Sequence, residues 1–220
     1  MSETPRIALL GCGYWGKNLA RNLHVLGALA LVCDPAEAGR AAASEVAPGV
    51  ATESEFEVAL QSGEIDAIAI ATPAETHFEL AAAALNSGKD VFVEKPLALQ
   101  ASEGEELIQL AAAGEHILMV GHLLEYPPAV LRLRELIDSG ELGNVNYIYS
   151  NRLDFGKVRT QENALWSFAP HDVAVILRLL DELPTEVTCT GGSFLAPDLA
   201  DVTVSSLRFK SGRRAHIFVS

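Results

Sequence analysis

Three cysteines in 220 residues, none spaced C-x-x-C, supply neither the even framework of a disulfide-stapled secreted domain nor the paired ligands of a structural zinc site. No metal site is expected. No apolar run is long enough for a bilayer span, and the start Met1-Ser-Glu-Thr-Pro-Arg lacks the basic segment and long apolar core of a secretory signal. The expectation is a cytoplasmic protein with no membrane partner. Basic residues are also scarce: 16 Lys+Arg against 29 Asp+Glu leave a formal charge of −13, which argues against nucleic acid and anionic lipid as partners. There is no internal repeat, and no low-complexity tract beyond alanine-rich helices. What is present is a globular composition, 49% hydrophobic and 20% charged, in a chain long enough for one large domain or two small ones.

Residues 6–16 read Arg-Ile-Ala-Leu-Leu-Gly-Cys-Gly-Tyr-Trp-Gly, an apolar strand running into a G-x-G-x-x-G turn with a helical pattern behind it. Gly11 allows the tight turn, Gly13 lets a pyrophosphate approach bare backbone, and Gly16 lets the helix pack close to the strand. The helix N-terminus offers free N–H groups and a partial positive charge to the phosphates. Tyr14 and Trp15 complete this loop. The next apolar run, residues 29–33, ends at Asp34, where a carboxylate can accept both ribose hydroxyls and would repel a 2′-phosphate. NAD is therefore the expected cofactor, ahead of NADP.

Apolar runs alternate with helical patterns through the first half, which predicts a doubly wound parallel sheet over residues 1–122. The predicted strands are 7–10, 29–33, 67–71, 91–93 and 117–120, and capping boxes at Ser54/Glu57, Thr76/Glu79 and Ser102/Glu105 are expected to start helices. Gly88 is expected to stop the helix before it. Residues 123–220 change rhythm. A helix after Pro127-Pro128, strands at 146–150, 186–190, 202–209 and 213–219, and a helix over 171–180 describe a second, α+β domain with an open sheet. The last run is strand-like to Ser220, which reads as an unpaired apolar edge. That edge implies a chain ending inside a larger sheet, or a homo-oligomer paired through the second domain.

In an open parallel sheet, ligands sit beyond the carboxyl ends of the strands. Thr72-Pro73 follows one strand, with His77 five residues on as either a cofactor contact or an ordinary first-turn residue. Glu94-Lys95-Pro96 follows the next, and Pro96 is expected to hold Lys95 extended with its ammonium at the nicotinamide end. His122 ends the last strand at the same edge. His171, after Pro170 at an expected helix start, is the candidate general base, since imidazole titrates near working pH; Asp172 would orient it and Trp166 and Phe168 would wall it. Asn151, Arg152, Lys157 and Arg159 lie in or before a long polar connection, and the cations suit either a diphosphate substrate or a solvated loop.

Together, Gly11-x-Gly13-x-Trp15-Gly16, Ala71-Thr72-Pro73, Glu94-Lys95-Pro96, Gly121-His122 and His171 resemble the glucose-fructose oxidoreductase, inositol dehydrogenase and rhizopine-catabolism (Gfo/Idh/MocA) family across nearly the whole chain. The resemblance implies a Rossmann domain followed by an open mixed sheet, NAD(P)-dependent chemistry at a sugar carbon, and the lysine and histidine as catalytic pair. Residues 14–18 and 151–172 look most like dehydrogenases that oxidise C3 of UDP-N-acetylhexosamines or their uronates, with Lys95, Asn151, Arg152, Lys157, Trp166 and His171 facing substrate. Ser167 stands where many members have aspartate, Glu125 where some have arginine, and members usually have a longer second domain, which implies a truncated chain. The alternatives are a free aldose or inositol dehydrogenase, a sensor that holds NAD without turnover, and an inactive fragment of the same fold.

Overall fold

A computed structural model describes residues 4–153 and 163–220 of the chain. They form two compact units, Met1–Gly121 and His122–Ser220. In the first, six strands make a wholly parallel sheet: β1 (Ile7–Leu10), β2 (Leu29–Cys33), β3 (Ala51–Glu53), β4 (Ala67–Ile70), β5 (Asp90–Val93) and β6 (Leu118–Val120), in the order β3-β2-β1-β4-β5-β6. Five were legible as apolar runs. β3 was not, because Ala-Thr-Glu is a largely exposed edge with no apolar signal.

Strand alternation sorts the core into two layers. Leu9, Val32 and Ala69 pack with Ala20 of α1 (Gly16–Val25) and Ala43 of α2 (Glu37–Val46). Ala8, Leu10, Ile68, Ile70, Val91 and Val93 pack with α3 (Phe56–Gln61), α4 (His77–Asn86) and α5 (Ala101–Gly114). Burial on both faces is why these strands read as unbroken aliphatic runs. The sheet's order reverses between β1 and β4, and an open α/β sheet presents its ligand crevice at that point.

The predicted capping boxes did not form. α3 begins after Glu55, and the Thr76 hydroxyl turns back to the Pro73 carbonyl at 2.8 Å instead of capping α4. Ser102 lies inside α5, whose start is closed by Glu103 accepting from the Gln100 N–H at 3.1 Å. Gly88, at φ +74°, does follow α4 as its stop.

The second unit holds β7 (Tyr147–Arg152), β8 (Pro184–Gly192), β9 (Val202–Phe209) and β10 (Arg214–Val219), with α6 (Pro128–Asp138) and α7 (Ala164–Leu180). Its sheet order is β7-β10-β9-β8; β7 and β10 are parallel and the other pairs antiparallel. The terminal run is therefore no edge: β10 is bonded on both sides, and β7 and β8 are the edges. Ala215, Ile217 and Val219 pack inward against Ala169, Ile176 and Leu180 of α7. That helix starts seven residues earlier than the sequence suggested. Asn163 caps it by accepting the Trp166 N–H at 2.9 Å, and Pro170 lies within it. Proline cannot donate to the carbonyl four residues back, so it reads as a boundary even where packing carries the helix through. Among the described residues no helix is long and apolar enough to cross a membrane.

Candidate functional site

The turn after β1 meets the geometric needs of a dinucleotide cradle at each glycine. Gly11 has φ +86°, and a Cβ there would lie 2.9 Å from the Ala71 carbonyl oxygen. A Cβ on Gly16 would lie 2.2 Å from the Gly11 carbonyl oxygen, so α1 can start this close to β1 only without a side chain. Gly13 is exposed, and its Cβ position is open space, which leaves the main chain bare to a ligand. Tyr14 beside it is 88% exposed.

Asp34 stands at the end of β2, buried, with Oδ2 accepting the Cys12 N–H at 2.7 Å and Oδ1 the Ala36 N–H at 2.8 Å. Two accepted bonds leave about half of a carboxylate's acceptor sites for ribose hydroxyls. The sequence reading missed two supports of this group. A Cβ on Gly39 would strike Asp34 Oδ2 at 2.2 Å, and Arg40 bonds the carbonyls of Asp34 and Pro35 at 2.8 and 2.9 Å. The spacing Asp34-x-x-x-x-Gly39 was the available signal. Burial and the Asp34 charge push the Cys12 thiol upward, opposed by Lys17.

At the ends of β4 and β5, Thr72, Glu94 and Lys95 share this edge. Trp15 donates its indole N–H to Glu94 Oε1 at 2.6 Å, tying the glycine loop to the segment after β5. Gly121 leaves room for that carboxylate, since a Cβ there would lie 2.9 Å from Glu94 Oε2. Lys95 is half-buried, and its peptide bond to Pro96 is cis. His77 does not line the cleft. It is 1% exposed with both ring nitrogens on backbone carbonyls, so it supports the edge from beneath instead of contacting a cofactor.

In the second unit, Asp172 of α7 turns toward β7. Its carboxylate accepts the Ser150 hydroxyl at 2.6 Å and Arg152 Nε at 2.7 Å, with Arg152 Nη2 at 3.2 Å. Both oxygens are thereby committed, and Asp172 holds Arg152 instead of orienting His171. Arg152 in turn spends its guanidinium on this buried carboxylate and not on an open loop. Asn151 falls on the opposite sheet face from Ser150 and Arg152, because successive strand residues alternate. Lys157, with Arg159, lies outside the described residues. His171 is half-buried one helical turn after Ser167, and Trp166 is 48% exposed. His122, expected at the cofactor edge, follows β6 and Gly121 and is the first residue of the second unit. There it joins Glu125, Pro170, Val173, Leu177 and Arg178 around a cavity of about 680 Å³, beside the Arg178–Glu125 ion pair at 3.4 Å.

Residues 5–122 match the family model for the oxidoreductase family, NAD-binding Rossmann fold, and residues 130–220 match the GFO/IDH/MocA C-terminal domain. The chain belongs to the GFO/IDH/MocA oxidoreductase family. Its first unit is the NAD-binding Rossmann fold of that family, and its second is the mixed-sheet domain. The chain is 29% identical to the UDP-N-acetylglucosamine 3-dehydrogenase of Acidithiobacillus ferrooxidans over 216 residues, 98% of this chain and 66% of that protein. A solved structure of that dehydrogenase superposes with a TM-score of 0.88 and 27% identity, over 98% of this chain and 66% of that one. The 2,7-anhydro-N-acetylneuraminate hydratase of Mediterraneibacter gnavus is 29% identical over 202 residues, 87% of this chain and 53% of that protein. The inositol 2-dehydrogenase 2 of Saccharopolyspora erythraea is 28% identical over 218 residues, 95% of this chain and 64% of that protein. This GFO/IDH/MocA chain thus spans between half and two thirds of the length of these relatives.

Proposed function

We propose that the chain carries the machinery of an NAD-dependent sugar dehydrogenase that oxidises a ring hydroxyl, C3 of a nucleotide sugar. The observation that carries this reading is the open amide cradle at Gly13, with Asp34 bonded to the Cys12 N–H on one side and the Trp15–Glu94 bond tying the loop to the segment that carries Lys95. The residues present fit NAD, which when bound accepts at its nicotinamide C4 the hydride that leaves the sugar carbon. As that C–H bond breaks, the hydroxyl proton passes to His171, the C=O bond forms, and the Lys95 ammonium donates a hydrogen bond to the oxygen as its charge develops.

The likeness to a UDP-N-acetylglucosamine 3-dehydrogenase supports a nucleotide sugar. One observation favours a second reading, oxidation of a free cyclitol or aldose: Arg152, the cation expected on the diphosphate, is bonded to Asp172. NADH formation over UDP-N-acetylglucosamine, its uronate, inositols and free aldoses tests both. Turnover of the UDP-sugars alone supports the first reading, and turnover of the free sugars alone supports the second. Tight NADH binding with no turnover on any of them overturns both and leaves a sensor. The exposed face of β7, carrying Tyr147 and Tyr149, is the surface we assign to self-association, and sedimentation velocity checks it.

A further inference from the structure

Lys95 sits on a short loop after β5, and a four-carbon side chain there has no defined position unless the backbone on each side is held. The structure holds both flanks. On the preceding side, Glu94 takes the Trp15 indole N–H at 2.6 Å through Oε1, and Oε2 lies 3.3 Å from the Lys95 N–H. On the following side, the Pro96 carbonyl meets His77 Nδ1 at 2.7 Å. The other nitrogen of the same ring, Nε2, meets the Thr72 carbonyl at 2.9 Å. One buried imidazole therefore links the loop after β4 to the loop after β5. Carbonyls only accept, so one ring nitrogen donates to its carbonyl while the other stands in close polar contact with the second, and the tautomer sets which is which.

We propose that His77 is a positioning residue: it cross-braces the Thr72 and Pro96 carbonyls and so sets where the Lys95 ammonium stands over the cofactor edge. The role given to Lys95 rests on the dehydrogenase reading above, while the brace is a property of the first unit alone. Fixing the two loops matters because misplacement of a reacting group by about 1 Å can cost about 10²-fold in rate.

The test compares the full chain with His77→Phe, which keeps a ring and removes both ring nitrogens, and His77→Gln, which keeps a donor toward one carbonyl. The expected result is a kcat about 10²-fold lower in His77→Phe, partly restored in His77→Gln. The NADH dissociation constant and sugar KM should move by less than about tenfold, since the cradle and Asp34 are untouched. One readout does not need turnover. After reductive methylation, the Lys95 carbon resonance, assigned with Lys95→Arg among the chain's five lysines, should move in His77→Phe and return toward the parent in His77→Gln. An unmoved Lys95 resonance with unchanged kcat overturns the brace. If the parent binds NADH but oxidises no sugar, the dehydrogenase reading fails and the Lys95 resonance alone decides the brace. If His77→Phe does not fold, His77→Gln decides it by the same measurements.

Discussion

Gly13→Ala separates what the glycine loop does for a ligand from what it does for the fold. A Cβ at Gly13 meets nothing within 4 Å and the residue is not left-handed, so the free protein accommodates it. By restricting the unfolded chain it changes stability by at most about 0.4–1 kcal/mol, in the stabilising direction. Gly16→Ala differs, because its Cβ would lie 2.2 Å from a backbone carbonyl oxygen, and the start of α1 must move. At Gly13 the new methyl stands where a pyrophosphate would approach. Losing about two main-chain hydrogen bonds to a charged group, at about 1.5 kcal/mol each, removes about 3 kcal/mol. At about 1.4 kcal/mol per tenfold, the dissociation constant rises about a hundredfold. Calorimetric titration with NADH, beside thermal unfolding, reads both quantities. Gly13→Ala should unfold with the parent and bind about a hundredfold more weakly, whereas Gly16→Ala should lose stability and binding together. If Gly13→Ala binds NADH as tightly as the parent, the cradle does not meet the cofactor as argued.

Lys95→Ala and His171→Ala should each lower turnover by about 10²–10⁴-fold while calorimetry shows NADH still bound; loss of binding instead would assign these residues to the cofactor. Arg152→Ala strands the Asp172 carboxylate, 7% exposed, and should cost about 3 kcal/mol in urea unfolding, the low end for a buried pair because Arg152 is itself 32% exposed. Activity on every sugar should fall with it; a loss confined to UDP-sugars would return Arg152 to substrate binding. The buried Lys89 ammonium donates to the Ser62 and Ile65 carbonyls at 2.7 and 2.8 Å, and Lys89→Met should cost about 2–3 kcal/mol by leaving those acceptors unmet. Burial pushes the Cys33 thiol up from 9.0 to about 11, so at pH 8 iodoacetamide should label exposed Cys189 and spare Cys33. Because the folded state holds that proton more tightly, its contribution to stability is complete below pH 9 and is lost as pH rises toward 11.

The amino-acid sequence by itself determined the features written in short-range chemistry. Residues 7–16 carry strand, turn and helix start within ten positions, and Gly11 and Gly16 have a local steric reason that the structure bears out. The aliphatic runs of β1, β2, β4 and β5 announced a sheet buried on both faces, and strand alternation later assigned each residue to a layer. Only tertiary structure decided which polar groups meet, because a hydrogen-bond partner distant in the chain leaves no spacing to read. Asp172 looked like a partner for its neighbour His171, but helix geometry turns adjacent side chains apart, and its carboxylate found Ser150 and Arg152 some twenty residues away. β10 looked like an open edge because pairing belongs to the sheet and not to the strand; β7 and β9 flank it. His77 had the residue type of a ligand contact, and its burial between two carbonyls is set by where β4 and β5 end, which no local pattern encodes.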